Sequence, residues 1–386
     1  MKISSESALS QMMKEWRHHL HAHPETAFEE IATSDFVASR LEEMGLNVSR
    51  NIAKTGVVAT LSTGDGPSIA LRADMDALNM DEHTNVAHRS THAGKMHGCG
   101  HDGHMSMLLG AAQYLSEHKN FKGTVHFIFQ PAEENEGGGR VMVEEGLFDK
   151  FPAQAVFGMH NWPEMPAGTM AMKAGPLMAA CDTIELKVMG KGGHGAMPHL
   201  GIDPVVISAE IILALQTISS RVFNPQDAVV VSVTQVNGGH TWNVIPEEVV
   251  MRGTVRSFRP EVREQLEGTI RRIVDGVCAA HGATCDLKYM SGYPATINDE
   301  EQTQICAKAA SRVVGTDKVD LNPIASMGAE DFAYMLQAKP GCYVWLGTGG
   351  IPGGCLLHNP GFDFNDDVLH IGASYWIALV EEILGS

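Results

Sequence analysis

No run of about 18 apolar residues occurs in the 386-residue sequence, so no segment is expected to span a membrane. The opening stretch MKISSESALSQMMKEW lacks an apolar core and a small-residue cleavage site, and is not expected to act as a secretory signal. Positive charge is scarce. The 28 Lys and Arg face 46 Asp and Glu, which leaves a net charge of −18, and no basic stripe is present to displace counterions from phosphates. Neither nucleic acid nor a membrane is therefore an expected partner, and the acidic surface reads as a device for solubility. Cysteine is sparse: the seven residues are odd in number and scattered. Reduced thiols and a cytoplasmic location are the expectation. The chain also lacks a Gly-x-Ser-x-Gly elbow and a Gly-x4-Gly-Lys-Ser/Thr loop, which sets aside serine-hydrolase and nucleotide-binding chemistry.

What is present is a long, ordinary globular chain, 44% apolar and 19% charged. Its length exceeds one typical core, so two domains are expected. Helical apolar spacing runs through Met12, Met13, Trp16 and Leu20 up to Pro24, and a second helix is expected over Ile31 to Leu46. Short apolar runs follow at Val57–Leu61, Ser68–Leu71, Val125–Phe129 and Ala155–Met159, with a helix expected over His104–Leu115. This alternation predicts an α/β domain with a mainly parallel sheet. Three of the runs stop at Asp74/Asp76, Glu133/Glu134 and His160. In open α/β sheets, sites lie beyond the carboxyl ends of strands.

The texture changes near Ala179. Strand, helix, strand, strand, helix, strand then follow, up to a linker at Ser291-Gly292-Tyr293-Pro294. That order is the ferredoxin-like split pattern. Afterwards Cys342–Leu346 reads as a strand and Asp366–Leu384 as a terminal helix. Residues 1–180 and 293–386 are thus expected to form one discontinuous domain, with 181–292 inserted into it.

The densest chemistry lies in Met96-His97-Gly98-Cys99-Gly100-His101-Asp102-Gly103-His104. A thiol and imidazoles together suit zinc and similar borderline-soft ions. The adjacent carboxylates Glu133 and Glu134 follow a strand aimed at the same edge, where one can ligate and its neighbour act as a base. His160-Asn161-Trp162-Pro163 and His358-Asn359-Pro360 complete a set of N, S and O donors. His19-Leu20-His21-Ala22-His23 has the spacing of metal ligands at a strand end, but on a helix residues two apart diverge. It reads as structural and surface. In the second domain, His194 sits in a glycine-rich turn and is a candidate oxyanion donor. Asn243 and Arg256 are polar residues in apolar strands, either substrate contacts or edge groups.

These motifs, in this order and over nearly the whole chain, resemble the M20 family of metallohydrolases. The likeness is to its amidohydrolase branch of hippurate hydrolases, N-acyl-amino-acid deacylases and auxin-conjugate hydrolases. It runs from His18-His19-Leu20-His21-Ala22-His23-Pro24-Glu25 through Leu71-Arg72-Ala73-Asp74-Met75-Asp76-Ala77-Leu78 to His358-Asn359-Pro360-Gly361-Phe362. One departure is Asn79, where the family often has Pro. The resemblance implies two divalent ions, zinc first and manganese, cobalt or nickel as alternatives, held by Cys99, His101, Glu134, His160 and His358. It implies Glu133 as general base and acid, and His194 as a lid residue reaching a site from the partner subunit. Asn243 and Arg256 would touch substrate, and Asp74 and Asp76 would orient a ligand His or Glu133. The inserted domain would be a lid and the homodimer interface. The implied reaction is hydrolysis of an N-acyl amino acid; the alternatives are a di- or aminopeptidase on the same scaffold and a non-catalytic metal-binding relative. Whether Cys99 or Asp102 bridges the ions stays open at this stage, as does the action of His194 in cis or in trans.

Overall fold

The computed structural model describes residues 3–349 and 354–385. They divide into two compact units. The larger comprises Met1–Leu177, Ile297–Ile324 and Asp331–Ser386, and the smaller Met178–Thr296 and Ala325–Glu330. The short segment Ala325–Glu330, expected with the larger domain, clusters with the smaller. The Ala179 N–H donates to the Ser326 and Gly328 carbonyls and ties it there.

The larger unit is built on an eight-stranded sheet. Its order is Asn47–Ile52, Gly56–Ser62, Thr124–Gln130, Ser68–Asp74, Ala155–Pro166, Gly341–Gly349, Met170–Ala171, Val319–Asp320. The four central strands, from Thr124–Gln130 to Gly341–Gly349, pair in parallel. The first two strands run antiparallel to their neighbours, as does Met170–Ala171 against Gly341–Gly349. Central parallel strands are covered on both faces, so they appear in sequence as unbroken apolar runs rather than alternations. Six of the seven residues of Ser68–Asp74 are buried.

Helix Ala8–Ala22 starts where the Ser7 hydroxyl accepts the Ser10 N–H at 3.1 Å. Its inward face carries Met13, Trp16, Arg17, Leu20 and His21, a spacing of three and four residues. Helix His101–His118 begins three residues before the expected His104, because Gly100 adopts a left-handed backbone (φ 92) and turns the chain into the helix. Strand Ala155–Pro166 is longer than its apolar run. His160, Asn161 and Trp162, expected at a strand end, remain in the ladder opposite Trp345, Leu346 and Gly347. Backbone pairing, not apolar content, sets its length.

The smaller unit is an antiparallel sheet in the order Val229–Gly238, Glu248–Ser257, Ala180–Met189, Thr284–Ser291. Helices Pro204–Leu215 and Pro260–His281 complete the split βαββαβ arrangement. By length and composition alone the helical stretch Pro204–Val222 is apolar enough to cross a membrane, but it carries Glu210 and Arg221. Its Ile207, Ile211 and Leu215 pack into the unit's core, while Val205, Val206 and Leu213 are exposed.

One buried carboxylate ties the two ends of this unit together. Asp182 accepts from Arg263 Nε at 3.1 Å and Nη2 at 2.5 Å, from the Tyr289 hydroxyl at 2.6 Å and from the Gly292 N–H at 3.0 Å. Truncating it removes an acceptor shared by a guanidinium, a phenol and a peptide N–H. Asp182→Ala is expected to destabilise the smaller unit by about 3–5 kcal/mol. An unchanged denaturation midpoint in the full chain would contradict this.

Candidate metal centre

Strands Thr124–Gln130, Ser68–Asp74 and Ala155–Pro166 are parallel neighbours, so the residues after the first two share an edge with His160 of the third. The Glu133-Glu134 loop is bent sharply there, with Ala132 at φ 53 and Asn135 at φ 72, both in the left-handed region. Such strain persists only where surroundings hold it, and here Asp76 does. Its Oδ1 accepts the Glu133 N–H at 3.0 Å and its Oδ2 the Glu134 N–H at 2.9 Å. One carboxylate thus fixes two consecutive peptide groups and sets both glutamate side chains.

The histidines are oriented from behind. His101 Nδ1–H donates to the Asp76 carbonyl at 2.8 Å, and His160 Nδ1–H donates to the Asn161 carbonyl at 2.7 Å. A carbonyl can only accept, so each Nδ1 carries a proton and each Nε2 is the nitrogen left to ligate. His101 Nε2 is buried and has no hydrogen-bond partner among the described residues. His160 Nε2 lies 3.4 Å from Cys99 Sγ, and His358 Nε2 lies 3.1 Å from Glu134 Oε1. His358 is itself at φ 60, and its N–H donates to the Gly98 carbonyl at 2.8 Å, which joins the late His358 loop to the Cys99 loop.

Ligand atoms of Cys99, Glu134 and His358 lie within 4.8 Å of one another, as do those of His101, Glu133 and Glu134. Asp74, His101, His104 and His160 form a further group of the same tightness. All five ligand candidates are therefore brought together, with Glu133 beside them.

Electrostatics describe the same space. Burial opposes a charge on His101, yet Asp74, Asp76 and Glu134 lift its pKa to about 10. Burial and the nearby Glu134 and Glu133 push the Cys99 thiol well above its ordinary range. Burial and the neighbouring His104 hold His160 well below its own. A buried, carboxylate-rich space with an orphaned imidazole nitrogen and a thiol fits divalent cations with mixed N, S and O ligation.

The groups behind the ligands hold one another. Asp74 is close, its Oδ2 being 3.7 Å from His101 Nε2, but both its oxygens are engaged. Arg72 Nη1 donates to it at 2.8 Å and His104 Nδ1 bonds it at 2.6 Å. His104 Nε2 in turn accepts the Asn161 N–H at 3.0 Å. His104, absent from the expected site, holds Asp74 in place. Asp102 Oδ2 is engaged by Arg17 at 3.3 Å and by His21 at 2.8 Å, and Asp102 belongs to none of the ligand groups found among the described residues.

His21 corrects the surface reading of the His-x-His segment. It is fully buried, with its Nε2 3.4 Å from Glu82, while His19 and His23 are exposed. Burial opposes its charge, but Asp102 outweighs that and raises its pKa to about 9. A pKa raised in the folded state gives stability that is complete below the unfolded value, about 6.5, and lost as pH rises through about 9. The stability difference between the parent and His21→Gln is expected to shrink over that window. A difference constant from pH 6 to 9.5 in denaturant titrations would rule the pair out.

In the smaller unit, strand pairing sets Val244 opposite His194 and Ile245 opposite Gly193. The Gly195 N–H donates to the Asn243 carbonyl at 2.8 Å, so His194 and Asn243 share one exposed corner. The Ala196 N–H donates to His194 Nδ1 at 3.1 Å, which leaves the ring proton on Nε2. Arg256 lies in Glu248–Ser257 opposite Cys181 and Val230, and no hydrogen bond joins it to His194 or Asn243 among the described residues.

Residues 70–382 match the model of Peptidase family M20/M25/M40. The chain belongs to this family. It is 41% identical over 374 residues to an N-acetyl-L-cysteine deacetylase of Bacillus subtilis, covering 96% of this chain and 88% of that protein. It is 38% identical to a hippurate hydrolase of Campylobacter jejuni, covering 95% of each. Among solved structures it resembles a dinuclear metal-binding M20 peptidase of Bacillus subtilis, with TM-score 0.86, 36% identity and coverage of 98% and 99%. The M20 protein is a metal-dependent amidohydrolase with an α/β architecture.

Proposed function

We propose that this M20 hydrolase cleaves the amide bond of N-acyl amino acids, releasing a carboxylic acid and a free amino acid. The observation that carries the reading is the Glu133–Glu134 pair, locked by Asp76 beside the Cys99, His101, His160 and His358 donors. In this reading Cys99, His101, Glu134, His160 and His358 hold two divalent ions, zinc being the first choice for mixed Cys and His ligation. Bound there, the ions would polarise the acyl carbonyl and acidify a water.

The protein's own residues do the rest. Glu133 takes the proton of the attacking water and returns it to the departing amine nitrogen. His194, with its proton on Nε2, donates to the developing oxyanion. Asn243 and Arg256 hold the substrate. Asp74 and Asp76 keep His101 and the glutamate loop in register. The smaller unit serves as lid and as homodimer interface, a role supported by the exposed Val205, Val206 and Leu213 of its helix. A cytoplasmic location completes the reading.

The test is a panel of N-acyl amino acids and free dipeptides assayed with protein loaded with zinc, manganese or cobalt. Turnover of the N-acyl compounds is expected, lost on chelation and restored by metal. Turnover of dipeptides alone would show a requirement for a free amine and replace this reading with a peptidase. Turnover unaffected by chelation would contradict it altogether.

A further inference from the structure

Ala132, the residue before Glu133, is buried and lies in the left-handed region at φ 53. A residue with a Cβ is strained there and keeps that conformation only where its surroundings fix it. Both peptide groups of Ala132 are fixed. The Gly138 N–H donates to its carbonyl at 2.8 Å, and its own N–H donates to Glu30 Oε1 at 2.8 Å. Asp76 accepts the next two N–H groups. Three consecutive peptide N–H groups, from Ala132 to Glu134, therefore end on two buried carboxylates.

Glu30 stands at the N-cap of helix Ile31–Glu43, yet its side chain makes no cap bond. Glu25 takes that place. It accepts the Ala32 N–H at 3.2 Å and the Thr33 N–H at 2.8 Å, two of the donors a helix start leaves open. The Glu30 side chain is thereby released toward the glutamate loop, and its Oε2 accepts the Thr55 hydroxyl at 2.6 Å. Burial, opposed by the Thr55 bond and reinforced by Asp76, raises its pKa to about 7. Taking a carboxyl group out of water is costly unless it is hydrogen-bonded. Here one oxygen is bonded to Thr55 and the other to the peptide next to the base.

We propose that Glu30 is a positioning residue for Glu133: by holding the Ala132 N–H it keeps residue 132 left-handed and so aims the general base. Asp76 differs in that it also sets Glu134, a proposed metal ligand. The proposal rests on the role given to Glu133 above.

The test compares variants in steady-state kinetics on N-acyl amino acids, with metal-loaded protein. Glu30→Leu fills the space but deletes the acceptor, and should lower kcat about 30-fold with KM and bound metal near parental values. Glu30→Gln keeps an oxygen for the Ala132 N–H and donates to Thr55, and should recover all but about threefold of that loss. Glycine adopts a positive φ without strain, so Ala132→Gly in the Glu30→Leu background should restore kcat about fivefold. Parental kcat in Glu30→Leu, or an equal loss in the Leu and Gln variants, would overturn the proposal. Loss of metal in proportion to kcat would overturn it too, since that belongs to a collapsed centre and not to a misaimed base.

Should Glu30→Leu not fold, Thr55→Val takes its place. It leaves Glu30 with one bond and should lower kcat about threefold at unchanged metal content, and a parental kcat would overturn the proposal. Amide hydrogen exchange reads the same contact without the reaction. The Ala132 N–H should exchange about tenfold faster in Glu30→Leu, or in Thr55→Val where that replaces it, than in Glu30→Gln. Equal rates would overturn the proposal. Absence of turnover in the metal-loaded parent, with the exchange difference present, would instead sink the reaction assigned above.

Discussion

Replacing Glu133 by Gln is expected to lower kcat for N-acyl amino acids by about 10²–10⁴-fold while leaving bound metal unchanged. The amide matches the carboxylate in size and keeps the residue-133 N–H on Asp76 Oδ1, so the loop retains its shape. What is lost is the group that carries a proton from water to amine. Glu134→Gln should behave differently, because Glu134 pairs with His358 and shares a 4.8 Å cluster with Cys99. That variant should lose metal as well as turnover. Metal content by elemental analysis, measured beside steady-state rates, separates the two glutamates. Wild-type turnover in Glu133→Gln would refute the assigned role.

Asp76→Ala is expected to weaken metal affinity about 10–100-fold, although Asp76 is not itself among the proposed ligands. The carboxylate holds the N–H groups of Glu133 and Glu134 and lies 3.4 Å from His101 Nδ1. Removing it frees the two left-handed residues around the glutamates to relax and leaves two buried peptide groups without an acceptor. Asp76→Asn retains one acceptor oxygen and should fall between the two. Metal titration of the stripped proteins checks this. Equal affinities for the parent and Asp76→Ala would show that the loop is held by something else.

Both predictions concern residues that were legible in the sequence, and the reason is geometric. Parallel strands show themselves as apolar runs, and polar residues immediately after them fall on one edge. Asp74, Asp76, Glu133 and Glu134 all follow this rule. His160 was found by the same rule but misplaced by it: pairing with Trp345 carries the strand past the last apolar residue. His21 was misread because its burial depends on Asp102, 81 positions away, and no local pattern encodes that contact. The role of His104 was missed for a related reason. It shares a helical turn with His101, but its partners Asp74 and Asn161 arrive from two other strands. The path of Ala325–Glu330 into the smaller unit rests on backbone bonds to Ala179, which side-chain patterning does not register. Glu30 and the Ala132 N–H that it holds are likewise 102 positions apart and joined only by the fold.

The central claim is that Cys99, His101, Glu134, His160 and His358 form one centre for two metal ions. Titration of the stripped protein with zinc or manganese, followed by calorimetry and elemental analysis, tests it most directly. The account predicts two ions per chain in the parent and a reduced number in His160→Ala and Cys99→Ala. A parent that binds no ion, or variants that still bind two with parental affinity, would contradict it.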